Sequence, residues 1–126
     1  MNNLLSIDYG ERFVGCAVRT FQSKVPFPVA VIDSKTDDLS NLLETMIKEY
    51  DINLIIVGYP IGLNMSLNRM TSKVDDFINS TLQNYLLPVI KIDERLTSNI
   101  YRNNKKERID DLSALQILES YILQNE

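Results

Sequence analysis

Leu4-Leu5-Ser6-Ile7-Asp8-Tyr9-Gly10-Glu11-Arg12-Phe13-Val14-Gly15-Cys16-Ala17-Val18 is the stretch that decides the fold. Two apolar runs flank a short polar step, which reads as a β-hairpin in which Gly10 supplies the positive φ of a tight turn. The first run is too short to be a helix of its own. Asp8 closes it, and a carboxylate on a strand otherwise fit for burial is costly unless paired, hydrogen-bonded or bound to a metal. The same residue also fits the ordinary role of an aspartate opening a turn before glycine. On the returning strand Gly15 and Ala17 alternate with Val14, Cys16 and Val18. One face therefore carries almost no bulk and leaves room for a close approach to the backbone.

The 126 residues suit a single domain, 1–126, with a real core. At 44% hydrophobic and 24% charged, the composition is globular. No apolar run approaches a membrane span, and the N-terminus lacks the features of a signal peptide, so a soluble cytoplasmic protein with no membrane partner is expected. Cys16 stands alone and reads as a small core residue. The chain has no histidine. That excludes Ser-His-Asp and Cys-His nucleophile systems, histidine-built zinc sites and imidazole acid–base catalysis. Carboxylates, lysine, tyrosine, hydroxyls or an oxygen-bound metal must carry any chemistry. A net charge of −4 argues against non-specific coating of nucleic acid, though not against a local basic patch.

Beyond the hairpin, Pro26 and Pro28 lead into Val29–Ile32, a third strand whose prolines suit an edge or a start. Ser34 or Thr36 can cap a helix with Asp37 and Asp38 in its first turn. Leu39, Leu42, Leu43, Met46, Ile47 and Tyr50 give that helix its apolar stripe. Ile52–Val57 is a near-continuous apolar run, the pattern of a strand covered on both faces, and Gly58–Ser66 is the loop at its carboxyl end. A second helix carries Met70, Val74, Phe77, Ile78, Thr81, Leu82 and Tyr85 on one face. Pro88–Ile92 is the next strand, a short helix spans Ser98 to about Arg102, and residues 103–108 form a basic loop. The final helix starts near Asp110 and turns Leu112, Leu115, Leu118 and Ile122 inward, with Ile117 and Tyr121 widening the stripe. Right-handed crossovers then give an α/β fold. Its mixed five-stranded sheet has three antiparallel strands followed by parallel ones, with helices on both faces.

Asp8 ends the first strand, Glu94 follows the last, and Asp110 begins the final helix. If these elements are neighbours, three carboxylates meet at one sheet edge, where they repel unless a divalent cation neutralises them. Oxygen ligands of this kind suit Mg²⁺ or Mn²⁺. Two such ions, roughly 3.5–4 Å apart, activate a water and stabilise the leaving oxygen of a phosphodiester. Each acid also has a plainer reading: Glu94 beside Asp93 and Arg95 as a surface charge cluster, Asp110 as a helix cap. Residues 91–108 hold Lys91, Arg95, Arg102, Lys105, Lys106 and Arg108 against Asp93, Glu94 and Glu107. This basic strip suits either a phosphodiester or solvent.

Ile7–Val18 resembles the opening D-x-G-x-(K/R)-R-x-G-x-A motif of the YqgF/RuvX family, and Ile56–Pro60 resembles its V-G-x-P segment. Ile92–Ser98 is similar to the D-E-R-x-T-(T/S) motif, and Ile109-Asp110 with Ala114–Tyr121 resembles the ending. The four motifs occur in order and span nearly the whole chain. Glu11 departs from the pattern, standing where the family is usually basic, and Met65–Met70 replaces its glycine-rich stretch. The resemblance implies an RNase H-like nuclease with Asp8, Glu94 and Asp110 as catalytic metal ligands. It further implies that Arg12, Ser66, Arg69, Arg95, Lys105, Lys106 and Arg108 contact nucleic acid. The implied reaction is maturation of the 5′ side of the small-subunit ribosomal RNA precursor, with the ribosome itself as a further partner. Resolution of four-way DNA junctions is the alternative and requires a homodimer rather than a monomer. A non-catalytic RNA-binding adaptor is a third reading. An ATP-binding lobe of the actin and sugar-kinase kind would need a second Asp-x-Gly turn, and Asp8-Tyr9-Gly10 is the only one.

Overall fold

A computed structural model of the chain describes residues 2–60, 69–93 and 110–126, excepting the side chains of Asp110 and Asp111. The apolar run before Asp8 forms β1 (Leu4–Tyr9) and the returning run forms β2 (Phe13–Arg19), paired antiparallel with Asp8 opposite Gly15. β3 (Phe27–Asp33) follows on the outer side of β2, and then come α1 (Leu39–Glu49) and β4 (Leu54–Tyr59). α2 (Arg69–Ser80), a 3₁₀ turn (Leu82–Tyr85), β5 (Val89–Asp93) and α3 (Asp110–Asn125) complete the described elements. The sheet order is β3-β2-β1-β4-β5, with β1–β4 and β4–β5 parallel. This is the expected mixed sheet, with β1 at its centre. The expected short helix at 98–102, the loop at 61–68 and the basic loop at 103–108 lie outside the described residues.

Strand alternation sorts the core into two layers. Leu5, Ile7, Val14, Cys16, Val18, Ile55 and Val57 face Leu43 and Met46 of α1 and Val74 and Phe77 of α2. Leu4, Ala17, Leu54, Ile56 and Ile92 face Ala114, Ile117 and Leu118 of α3. The small face of β2 is thus where α3 comes down on the sheet. β3 is an edge strand, as its prolines foretold, and its ladder with β2 shifts register between Cys16 and Ala17, with Pro28 opposite Ala17.

Four local expectations are corrected. Gly10 does not adopt a positive φ; a Cβ there would stand 2.6 Å from the Phe13 carbonyl oxygen, so the tightness of the turn demands glycine. Asp38, rather than Ser34 or Thr36, caps α1, its carboxylate accepting from the Asn41 N–H at 3.1 Å. Leu42 is exposed, because the buried centre of α1 falls on Leu43 and Met46. On α3 the fully buried positions are Ala114, Ile117 and Leu118 with Gln116, while Leu115 and Ile122 lie at the margin. A helix set this close to the sheet centres on its small residue.

Polar contacts from Ser6 and Arg19 help to fix α3. The Ser6 hydroxyl donates to the Ala114 carbonyl at 2.6 Å, both groups being buried. Arg19, only 2% exposed, donates to both Glu126 carboxylate oxygens at 2.6 and 2.9 Å and to the Asn2 carbonyl at 2.8 Å. The Arg19 contact holds the Glu126 carboxyl below its ordinary pKa. A depressed carboxylate pKa gives stability that is present above the unfolded value and lost as pH falls through the folded one. Glu126→Gln should therefore cost about 2 kcal/mol at neutral pH, since it leaves a buried guanidinium poorly paired. Urea titrations should show the gap between wild type and variant closing as pH falls below the ordinary carboxylate range.

Candidate active site

β1, β4 and β5 run parallel, so their carboxyl ends share one edge of the sheet. Asp8, Tyr59 and Asp93 stand at or beside those ends, with Tyr59 in register with Asp93. Asp8 lies within the strand ladder rather than opening the turn, and it is half-buried. It shares the α3 side of the sheet with Ser6, two residues back. Its neighbours on that side are glycines: Gly15 directly opposite on β2, and Gly58 on β4, one rung beyond the Ile7–Val57 pair. The carboxylate therefore rises between two positions without side chains. Gly15 was legible as a small residue from its alternation; Gly58 read as the start of a loop, and only the sheet register places it beside Asp8.

The first turn of α3 lies over the same edge. The Arg19–Glu126 pair puts the far end of α3 at the Leu4 end of β1, since Arg19 pairs with Leu4. From the Ser6–Ala114 contact, the helix then runs back toward the Asp8 end. Asp110 begins it, four residues or roughly 6 Å before Ala114. Along β1, Asp8 stands about 6.7 Å beyond Ser6. The backbone thus carries Asp8 and Asp110 to one edge, whereas Glu94, which follows β5, lies outside the described residues. Among the described residues no group of three histidine, cysteine or acidic side chains is gathered closely enough to hold a metal ion.

The donor chemistry is that of hard oxygen. There is no histidine, and burial first, then the Asp8 charge, pushes the Cys16 thiol up to about 12. A thiol so placed is neither ligand nor nucleophile. Native protein should leave Cys16 unmodified by a soluble disulfide reagent at mildly alkaline pH, and the thiol should react at the rate at which the chain unfolds. Rapid modification of the folded protein would refute its burial.

The two described cations expected to meet nucleic acid, Arg12 and Arg69, are engaged within the chain. Arg12 donates to both carboxylate oxygens of Asp33 at 3.2 and 3.1 Å, and its guanidinium lies 4.9 Å from the Phe13 ring centroid. Asp33 is held well below the usual carboxylate range, by Arg12 first and then by the Lys35 N–H. Arg69 donates to both oxygens of Glu11 at 3.0 and 2.8 Å, and Lys73 lies 3.4 Å from the same carboxylate. Lys91, counted in the basic strip, pairs with Asp75 at 3.3 Å and covers the Tyr59 ring. Ser66, Arg95, Lys105, Lys106 and Arg108 lie outside the described residues. Sequence reading missed Lys73, although its spacing of four from Arg69 puts the two on one helix face.

Comparison with known proteins matches residues 2–124 to the model of a family described as RuvX, Holliday junction resolvase. A protein of Orientia tsutsugamushi named "Putative pre-16S rRNA nuclease" is 33% identical, the match covering 91% of this chain and 79% of that protein. One of Natranaerobius thermophilus with the same name is 31% identical, over 94% and 92%. Among solved structures, Thermus thermophilus RuvC in complex with Holliday junction substrate superposes with a TM-score of 0.64 at 13% identity, covering 99% of this chain and 97% of that one. At that identity the likeness is one of fold.

Proposed function

This chain belongs to the RuvX family, and from that membership and the geometry of the carboxyl edge we propose that it is a divalent-metal-dependent endonuclease. Its proposed substrate is the precursor of the small-subunit ribosomal RNA, cut on the 5′ side. The observation that carries the reading is Asp8: a carboxylate at the end of the central strand, between two glycines, with the α3 first turn over the same edge. Relatives 33% and 31% identical, matched over 79% and 92% of their own length and named for pre-16S rRNA, support that substrate.

Asp8, Glu94 and Asp110 would hold Mg²⁺ or Mn²⁺, which suits an oxygen donor set without histidine or an ionised thiol. When bound, such ions activate a water and stabilise the leaving oxygen of a phosphodiester. The chain's own contribution is placement. Gly15 and Gly58, both buried, put no side chain beside Asp8, and the packed face of β2 fixes the height of α3 above it. Arg12, Ser66, Arg69, Arg95, Lys105, Lys106 and Arg108 are the proposed backbone contacts. Arg12 and Arg69 must exchange a carboxylate for a phosphate to serve.

The test is cleavage of an end-labelled precursor leader and, in parallel, a four-way DNA junction, each with Mg²⁺ or Mn²⁺. Cleavage of the RNA at a defined position is the expected result. Cleavage confined to the junction would replace the substrate, and would call for a dimer in solution because a symmetric cut needs two sites. Cleavage of neither, with no metal-dependent stabilisation, would leave a non-catalytic adaptor.

A further inference from the structure

We propose that Arg69 and Lys73 form a phosphate-binding subsite, and that Glu11 fills it as an internal anion until a phosphate of the nucleic-acid backbone displaces it. The inference rests on the nuclease reading and names one contact through which the substrate would be held. Glu11 lies in the turn between β1 and β2, three residues after Asp8, and reaches across to α2. Its two oxygens take the two Nη groups of Arg69 at 3.0 and 2.8 Å. That parallel fork is the geometry in which guanidinium binds the non-bridging oxygens of a phosphate. Lys73 adds a second cation at 3.4 Å, so two positive charges surround one negative charge. A phosphodiester offers the same charge and the same pair of oxygens.

Exposure makes the exchange feasible. Glu11 is 46% and Arg69 71% exposed, and an ion pair in so much water is weak. A nucleic acid brings successive phosphates and releases counterions on binding, which an isolated side-chain carboxylate does not. The Arg12–Asp33 pair on the other flank of the turn is built in differently. Asp33 also accepts from the Lys35 N–H, and Arg12 lies against Phe13. Displacing Glu11 removes one tie between the turn and α2, three residues from Asp8, while Tyr9 keeps its stack on Phe77 of α2.

The test is fluorescence anisotropy with a labelled single-stranded leader RNA in EDTA, where no cleavage occurs, across a salt series. Glu11→Gln should bind about 3–10-fold tighter than wild type, because the competing internal anion has gone, and the gain should shrink as salt is raised and screens that anion. Glu11→Asp, which keeps the charge, should bind as wild type. Adding Arg69→Gln and Lys73→Gln to Glu11→Gln should abolish the gain. Unchanged or weaker binding by a folded Glu11→Gln protein overturns the subsite. Cleavage by wild type, measured alongside with metal, separates the two readings. Cleavage without tightening overturns the subsite alone, tightening without cleavage overturns the nuclease alone, and neither result overturns both.

Discussion

Asp8→Asn is expected to lower metal-dependent cleavage at least about 1,000-fold, equivalent to about 4 kcal/mol of transition-state stabilisation. The substitution preserves shape and removes only the charge. Asp8 stands at the end of the central strand with glycine on either side, so among the described residues neither neighbouring strand position offers a side chain to take over as a ligand. The fold should be unharmed. Without metal, the variant should unfold at a midpoint close to that of wild type. Mn²⁺ should raise the thermal midpoint of wild type by linkage and leave Asp8→Asn unmoved. Equal midpoint shifts in both proteins would mean that the ion binds elsewhere. Full activity in the variant would remove Asp8 from the chemistry.

Ala17→Leu should cost about 3 kcal/mol, a large part of the roughly 5–15 kcal/mol that holds a domain of this size together. Ala17 is wholly buried in the layer between β2 and Ala114, Ile117 and Leu118 of α3. Three further carbons there must either lift the helix or force their neighbours off-rotamer. Lifting the helix also disturbs the Ser6–Ala114 contact and the position of the first α3 turn above Asp8. Urea unfolding should therefore show a lower midpoint, and the Mn²⁺-dependent stabilisation should shrink with it. A wild-type midpoint would mean that α3 does not sit on the small face of β2.

That small face was legible in the amino-acid sequence, because Gly15 and Ala17 alternate strictly with larger residues and a β-strand has a period of two. The both-face burial of β4 and the edge position of β3 were legible for similarly local reasons: an unbroken apolar run, and prolines that cannot join a central ladder. The candidate site was less so. Asp8, seen alone, reads equally as a turn residue, and only its pairing with Gly15 puts it inside the strand. Gly58 became part of the site through register between strands some fifty residues apart, which periodicity does not carry. Arg12 and Arg69 were identified as cations, but their carboxylate partners, Asp33 and Glu11, depend on how the turn folds against β3 and α2. The acidic balance of the chain takes on a structural meaning there: the described cations Arg12, Arg69 and Lys91 are each matched by a carboxylate of another element.

The Ser6 and Arg19 fastenings of α3 give it the mechanics of a lever. Its fulcrum is the Ser6–Ala114 hydrogen bond. One arm runs twelve residues, roughly 18 Å, to the clamp at Arg19, and the other runs four residues, roughly 6 Å, back to Asp110. Rigid pivoting then reduces any displacement at the clamped end about threefold at the catalytic edge, in the ratio of the two arms. A slip of an ångström at Glu126 becomes a shift of about a third of that at Asp110. Sequence change at the far end of the helix is therefore mechanically damped, whereas the same displacement imposed close to the fulcrum is magnified.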